Sequence, residues 1–327
     1  MNKPSTYVWF AGALCAASVA GYLVAQPGTS VYTNNFVYEL QPATLVRPVL
    51  DIVGTESQSE WSNTLRKGIE RMVSLRAARG EVSRVSVFYQ DLGTLDWVGV
   101  ADDDLYDPAS LLKVSLLVAY LKLAEADPAL LATDITYNQE FVADENTVPL
   151  PSGVYGLQFL LERMIIHSDN VAYRALSTYL QQYATDEQLQ QVLENGDMLV
   201  GAVLSDGQSV TTVSDYAGVL RVLYSAMYLT NDASEYALEL LSQSAFDVGL
   251  RAGVPDTITT ANKFGFGGDP ADPNDFQLHD CGVVYDLLQP YILCIFTQSI
   301  GERESARIIR DISAYVYEQH QERYTTR

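Results

Sequence analysis

The chain is poor in the side chains that metal, redox and polyanion chemistry need: three histidines, three cysteines and five lysines among 327 residues. The histidines, His167, His279 and His320, show none of the spacing of a protein zinc site, so no metal ion or other cofactor is expected. Lysine and arginine together number 20 against 41 aspartates and glutamates, for a net charge of −21. A surface that acidic repels phosphate backbones, which excludes nucleic acid as a partner. It also offers no bulk attraction to an anionic substrate, so a carboxylate-binding site would have to make its own local positive potential, for instance from Lys263 and a nearby arginine. No internal repeat is present. With 48% hydrophobic residues the chain can bury one large or two modest cores.

Long apolar runs are also scarce, and the one present is terminal. Tyr7 to Ala25 is nearly continuous, is preceded by Lys3 and has no acidic residue. Its length spans a bilayer core, and the basic residue ahead of it favours a cytoplasmic N-terminus, so residues 1–25 read as a single-pass membrane anchor. A cleaved signal ending near Ala25 is the alternative. A lipoprotein at Cys15 is disfavoured because bulky Leu14 stands where a small residue is expected. Either reading places the rest of the chain outside the cytoplasm, tethered or secreted. Residues 26–59 are polar and turn-rich, a stalk ahead of a domain over 60–327.

Helical periodicity runs from Glu60 to about Arg79 and stops at Gly80. The alternating segments Arg84–Asp91 and Thr94–Val100, joined at Leu92-Gly93, predict a β-hairpin. A long apolar helix follows from Ala109 to about Ala126. Further helices are expected over Leu157–Ile166, Asn170–Tyr183, Asp186–Glu194, Ser214–Tyr228 and Glu235–Ser244. Strand patterns return at Thr257–Phe266, Cys281–Asp286 and Tyr291–Gln298, and a last helix covers about Arg303–Gln321. Strands at both ends with helices between them predict an α/β (α+β) domain built from both termini, plus an inserted helical lobe. The turn at Pro290 would fold Cys281 close to opposite Cys294. A disulfide is compatible with an oxidising compartment, and two buried small hydrophobes are equally compatible.

Two of the five lysines stand where acyl transfer would need them. Ser110-Leu111-Leu112-Lys113, Ser168-Asp169-Asn170 and Lys263-Phe264-Gly265 read in order as S-x-x-K, S-D-N and K-x-G. Positions three apart on a helix share a face, so Lys113 can reach Ser110, which Pro108 places near a helix start. A serine hydroxyl is a weak nucleophile until a base takes its proton, and a lysine can serve if burial and a second cation lower its pKa. Lys263 is the candidate second cation. Ser168 would relay a proton to the leaving nitrogen, Asp169 would hold the turn and Asn170 would bind the substrate amide. Gly265 would admit a substrate backbone, and the amide of Phe266 would join that of Ser110 in an oxyanion hole. Each piece alone has a plainer explanation: a lysine snorkelling from an amphipathic helix, a helix cap, an edge strand. Their occurrence together and in order is what argues for chemistry.

Asp107 to Val114, Met164 to Asn170, Thr211 to Ser214 and Leu250 to Pro255 resemble class A β-lactamase segments, and the resemblance runs from about Glu60 to the C-terminal helix. It implies the β-lactamase/transpeptidase-like fold of the penicillin-recognising serine enzymes: an antiparallel sheet flanked by helices, an all-helical lobe and a site in the cleft between them. Two departures stand out. The family's Ω-loop glutamate, which activates the deacylating water, has no counterpart, since Met198–Val210 offers only Asp206 as a carboxylate. Phe264 stands where the family usually has Thr or Ser, removing a hydrogen bond to the substrate carboxylate. The resemblance thus implies a β-lactamase-like hydrolase forming a Ser110 acyl-enzyme with β-lactams or related D-alanyl amides. A D-alanyl-D-alanine peptidase acting on a peptidoglycan stem peptide, or a non-catalytic binding domain, are the other readings.

Overall fold

The computed structural model describes residues 45–47, 56–137, 150–196, 202–203, 209–269, 271–272 and 274–325. The apolar run over residues 7–25, most of the stalk and Asp206 lie outside them. Among the described residues no helix is long and apolar enough to cross a membrane.

In chain order, helix α1 (Glu60–Ala77) leads into strands β1 (Val82–Asp91) and β2 (Trp97–Val100). A single 3-10 turn, Ala109–Leu111, precedes α2 (Leu112–Ala126). Then come β3 (Asp134–Tyr137), β4 (Gly153–Gly156), α3 (Leu157–Ile166), α4 (Asn170–Tyr183) and α5 (Asp186–Asn195). After β5 (Ala202–Val203) and β6 (Ser209–Val210) follow α6 (Val213–Tyr224) and α7 (Asn231–Ser242). The chain ends with β7 (Thr260–Gly267), β8 (Phe276–Val284), β9 (Tyr291–Ser299) and α8 (Glu302–Thr325).

The main sheet runs β2-β1-β9-β8-β7, antiparallel throughout, with β7 at one edge. β9 lies at its centre and is buried along almost its whole length, which fits the apolar run Tyr291–Phe296. Side chains alternate between two cores. Phe88, Cys281, Val283, Ile292, Cys294 and Phe296 face the helical lobe. Val87, Tyr89, Leu278, Leu293 and Ile295 face α1 and α8, where Leu65, Ile69, Ile308 and Ile312 meet them. Cys281 stands directly across from Cys294, and the two are joined as a disulfide.

Local signals account for the element ends. Ser59 caps α1 through a bond from the Ser62 amide, and Gly80, at φ +69°, turns the chain from α1 into β1. Thr185 and Gln188 form a reciprocal capping box on α5. Helix α2 is buried from Lys113 through Leu121, as expected for the central helix of the lobe. Ahead of α1, residues 45–47 strap across the far side of the lobe. The Glu235 carboxylate on α7 accepts from the amides of Leu45 (2.7 Å) and Val46 (2.9 Å). Tyr285 Oη donates to Leu45 O, the Arg47 amide donates to Tyr224 O, and Val46 enters the core.

Four expectations need correction. Ser110 sits in the 3-10 turn and not in the first α-helical turn, because Pro108 O already accepts from the Leu111 amide at 3.0 Å. β7 begins at Thr260 and not at Thr257, with Lys263 inside the strand as expected. β8 begins at Phe276, ahead of Cys281, because Gln277, His279 and Asp280 are buried in spite of their polarity. In the first hairpin Thr94 lies in the turn and β2 starts only at Trp97.

Candidate active site

The 3-10 turn that presents Ser110 is held from three sides. Tyr106, just upstream, exchanges two backbone hydrogen bonds with Thr211, at 2.9 and 2.8 Å. The Ala109 amide donates to Asp107 Oδ1 at 2.8 Å. His279 Nε2 lies 2.9 Å from Asp107 O. A carbonyl can only accept, so this bond fixes the Nε2–H tautomer. Burial and lost hydration hold His279 neutral by pushing its pKa down to about 3. Gly265 on β7 faces the turn so closely that a Cβ there would stand 3.1 Å from the Ser110 amide nitrogen. A side chain at Gly265 would therefore close the gap between the edge strand and the nucleophile.

Lys113, 2% exposed, rises from the first turn of α2 into this space. Its Nζ lies 2.5 Å from Ser110 Oγ, 2.7 Å from Asn170 Oδ1, 3.0 Å from Ser168 O and 3.2 Å from Ser168 Oγ. From the opposite wall Lys263 Nζ reaches the same Ser168 Oγ at 2.8 Å. One hydroxyl thus sits between two lysines, and one of these touches the nucleophile. Burial pushes Lys263 well below the ordinary lysine pKa, the charge of Lys113 adds to that, and Asp280 works against it. Asp280, buried on β8, is pushed up to about 7, again chiefly by burial. It accepts from Asn262 Nδ2 and from the Leu250 amide, both at 2.8 Å.

The Ser168-Asp169-Asn170 turn is held by Asp169. Its Oδ1 caps α4, accepting from Val171 (2.7 Å) and Ala172 (3.0 Å), and its Oδ2 accepts from Arg163 Nε at 2.8 Å. Ser168 has φ +55° and Ala109, next to Ser110, has φ +47°. Left-handed backbone at non-glycine residues costs on the order of 1–3 kcal/mol each and persists only where the surroundings enforce it. Here both flank the reacting groups.

Ser110, Lys113, Ser168, Asn170, Lys263 and Gly265 are therefore brought together, as their motifs predicted. Phe264 and Phe266 are placed differently. Phe264 is 8% exposed and stacks on Phe246 with ring centroids 4.5 Å apart, and Phe266 meets it edge-on at 5.5 Å. The Phe264 ring centroid lies 4.2 Å from Lys263 Nζ. Arg163, beside the Ser168-Asp169-Asn170 turn, pairs with Asp169. Sequence reasoning missed His279 and Asp280, although two ionisable residues inside an apolar strand pattern were a signal for them. It also missed Tyr173, one helical turn beyond Asn170, whose ring centroid is 5.8 Å from Lys113 Nζ.

Residues 64–320 match the sequence profile described as the beta-lactamase enzyme family. No curated protein sequence matches the chain. Among solved structures, PBP-A superposes with a TM-score of 0.67 at 19% identity, covering 83% of this chain and 100% of that one. A point mutant of PBP-A, solved as an acyl-enzyme complex with penicillin G, gives 0.66 at 20% identity, covering 80% and 97%. A class A beta-lactamase from Mycobacterium abscessus gives 0.64 at 19% identity, covering 77% and 98%. At these identities the superpositions establish the fold: an antiparallel sheet flanked by helices, with a helical lobe beside it.

Proposed function

The chain belongs to the β-lactamase enzyme family, and from that premise we propose that this serine hydrolase forms an acyl-enzyme at Ser110 with β-lactams or related D-alanyl amides. The observation that carries the proposal is Lys113 Nζ at 2.5 Å from Ser110 Oγ, with Ser168 Oγ shared between Lys113 and Lys263. A neutral amine has two protons and one lone pair. Directed at Ser168 O and Asn170 Oδ1, the protons leave the lone pair for the Ser110 hydroxyl.

Lys113 takes the hydroxyl proton as Ser110 Oγ attacks the carbonyl carbon. The amides of Ser110 and Phe266 receive the developing oxyanion. The proton then passes through the Ser168 hydroxyl to the leaving nitrogen as the C–N bond breaks, leaving an ester on Ser110. The two lysines share the Ser168 hydroxyl, so a positive charge on one disfavours a positive charge on the other, which helps supply the neutral amine that the step needs.

Hydrolysis of that ester needs an activated water. Met198–Val210 supplies no glutamate and one aspartate, Asp206, so deacylation should be slow. Stopped-flow kinetics with nitrocefin should show a burst followed by slow turnover. Rapid steady hydrolysis without a burst would reject this, and Asp206→Asn would then be the variant to make. A slow second step is also what a D-alanyl-D-alanine peptidase would show toward penicillin, and this observation keeps that reading alive. The Cys281–Cys294 disulfide supports an extracytoplasmic domain, tethered through residues 7–25 or secreted. Intact-mass measurement after exposure to penicillin tests the core of the proposal: an adduct on wild type that is absent from Ser110→Ala is the expected result.

A further inference from the structure

Lys263 is fully buried, and the way it is buried bears on what the site can recognise. An ammonium has three protons to place. Two directions are taken by oxygens, Ser168 Oγ at 2.8 Å and the carbonyl of Phe264 at 2.7 Å. The third side is covered by the Phe264 ring at 4.2 Å. That ring stacks on Phe246 and meets Phe266 edge-on, and cannot swing away without breaking both contacts. Toward the strand end the strip continues, with half-buried Phe266 lying against Phe276 at 5.9 Å.

We propose that this aromatic strip makes the site select acyl donors whose leaving side presents an uncharged, apolar group beside Lys263, and not a carboxylate. The proposal rests on the reading of Ser110 as nucleophile and specifies its substrate class. A carboxylate placed here would lose its hydration against phenyl faces and find no free ammonium proton in return. Its surroundings are acidic as well. Asp107, exposed at the head of the nucleophile turn, has its carboxyl carbon 3.2 Å from where a Cβ on Gly267 would stand. An uncharged apolar group gains from the same rings what a carboxylate loses. In peptide terms this is an internal amide followed by an apolar residue, as opposed to one ending in a free carboxylate.

The test compares penicillin G with its methyl ester, following acylation of Ser110 by intact mass and stopped flow on the full chain. Wild type should react with the ester at least as fast as with the free acid. Phe264→Thr, which uncovers the ammonium, should shift the preference toward the free acid by tenfold or more. A wild-type enzyme that acylates tenfold faster with the free acid overturns the proposal and leaves the nucleophile assignment standing. Phenylboronic acid against 3-carboxyphenylboronic acid reads the same preference through a reversible adduct, and on wild type alone it does not depend on the variant folding. There the uncharged probe should bind at least as tightly, and tenfold tighter binding of the carboxylate probe would count against the idea. Failure of every probe, a fluorophosphonate included, to reach Ser110 would remove the nucleophile and the proposal together.

Discussion

On the helical wall of the cleft, Lys113 is surrounded by oxygens: Ser110, Ser168 and Asn170 all lie within hydrogen-bond reach of its Nζ. On the sheet wall, Lys263 is pressed against the Phe264 ring, which stacks on Phe246 and meets Phe266 edge-on. Both lysines are buried and both touch Ser168, so the difference lies in what else surrounds them. The helical wall carries groups that move protons. The sheet wall, apart from Lys263 and Gly265, carries groups that exclude water. On the proposed reading, the side chains that move protons lie mainly on the helical wall and those that set selection lie on β7, so Phe264 and Phe266 can change while the helical wall stays intact.

That division can be attacked from its strongest side first. Ser110→Ala should abolish covalent labelling by penicillin or a fluorophosphonate and leave the melting transition near that of wild type. Labelling that survives would move the nucleophile elsewhere. Lys113→Ala should lower the acylation rate by about 10²–10⁴-fold, the usual worth of a placed general base; an unchanged rate would mean that the helical wall does not hold the base.

Asp169→Ala strikes the support of that wall. It removes the cap on α4 and the carboxylate with which Arg163 pairs, so we expect about 2 kcal/mol of destabilisation, read from urea midpoints. A shift under about 0.5 kcal/mol, the range of ordinary surface changes, would show that the turn is held by something else.

The remaining test concerns the sheet wall. Burial keeps Asp280 protonated up to about pH 7, while in the unfolded chain it ionises near its ordinary 3.8. Between these values the folded state binds the extra proton, so wild-type stability falls as pH rises through that window. Asn cannot ionise. The stability of Asp280→Asn relative to wild type should therefore rise from pH 4 to pH 7 and stay level above it. A difference that does not change with pH would mean that Asp280 is ionised beside Lys263 in the folded state.

The serine and lysine half of the site was legible in the sequence because its geometry is local or carried by short motifs. Ser110 and Lys113 are three residues apart, and Asp169 announces its own helix cap. The recognising half was not legible for a physical reason. Phe264 is a substrate-facing position or a core residue depending on whether Phe246 and Phe266 are there to stack on it, and Phe246 lies on a different segment. The helices were placed to within a few residues by periodicity and by caps such as Gly80. The start of β8 was hidden because Gln277, His279 and Asp280 look like loop residues until their partners are known: Asp107 for His279, Asn262 and Leu250 for Asp280. The two short hairpins, β3–β4 and β5–β6, left no alternation long enough to read.

The strap at residues 45–47 has a mechanical consequence. A pull on the chain ahead of Leu45 meets the Glu235 clamp and the Tyr224 and Tyr285 contacts before it reaches α1. The load enters the domain through α7 and the end of β8, on the far side of the lobe from Ser110. The helix that covers the opposite face of the sheet is spared, and the cleft is isolated from tension in the leading segment. A shortened chain beginning at Glu60 would lose that strain relief along with the Val46 contact, and handling that stretches or shears the protein should unfold it at lower force.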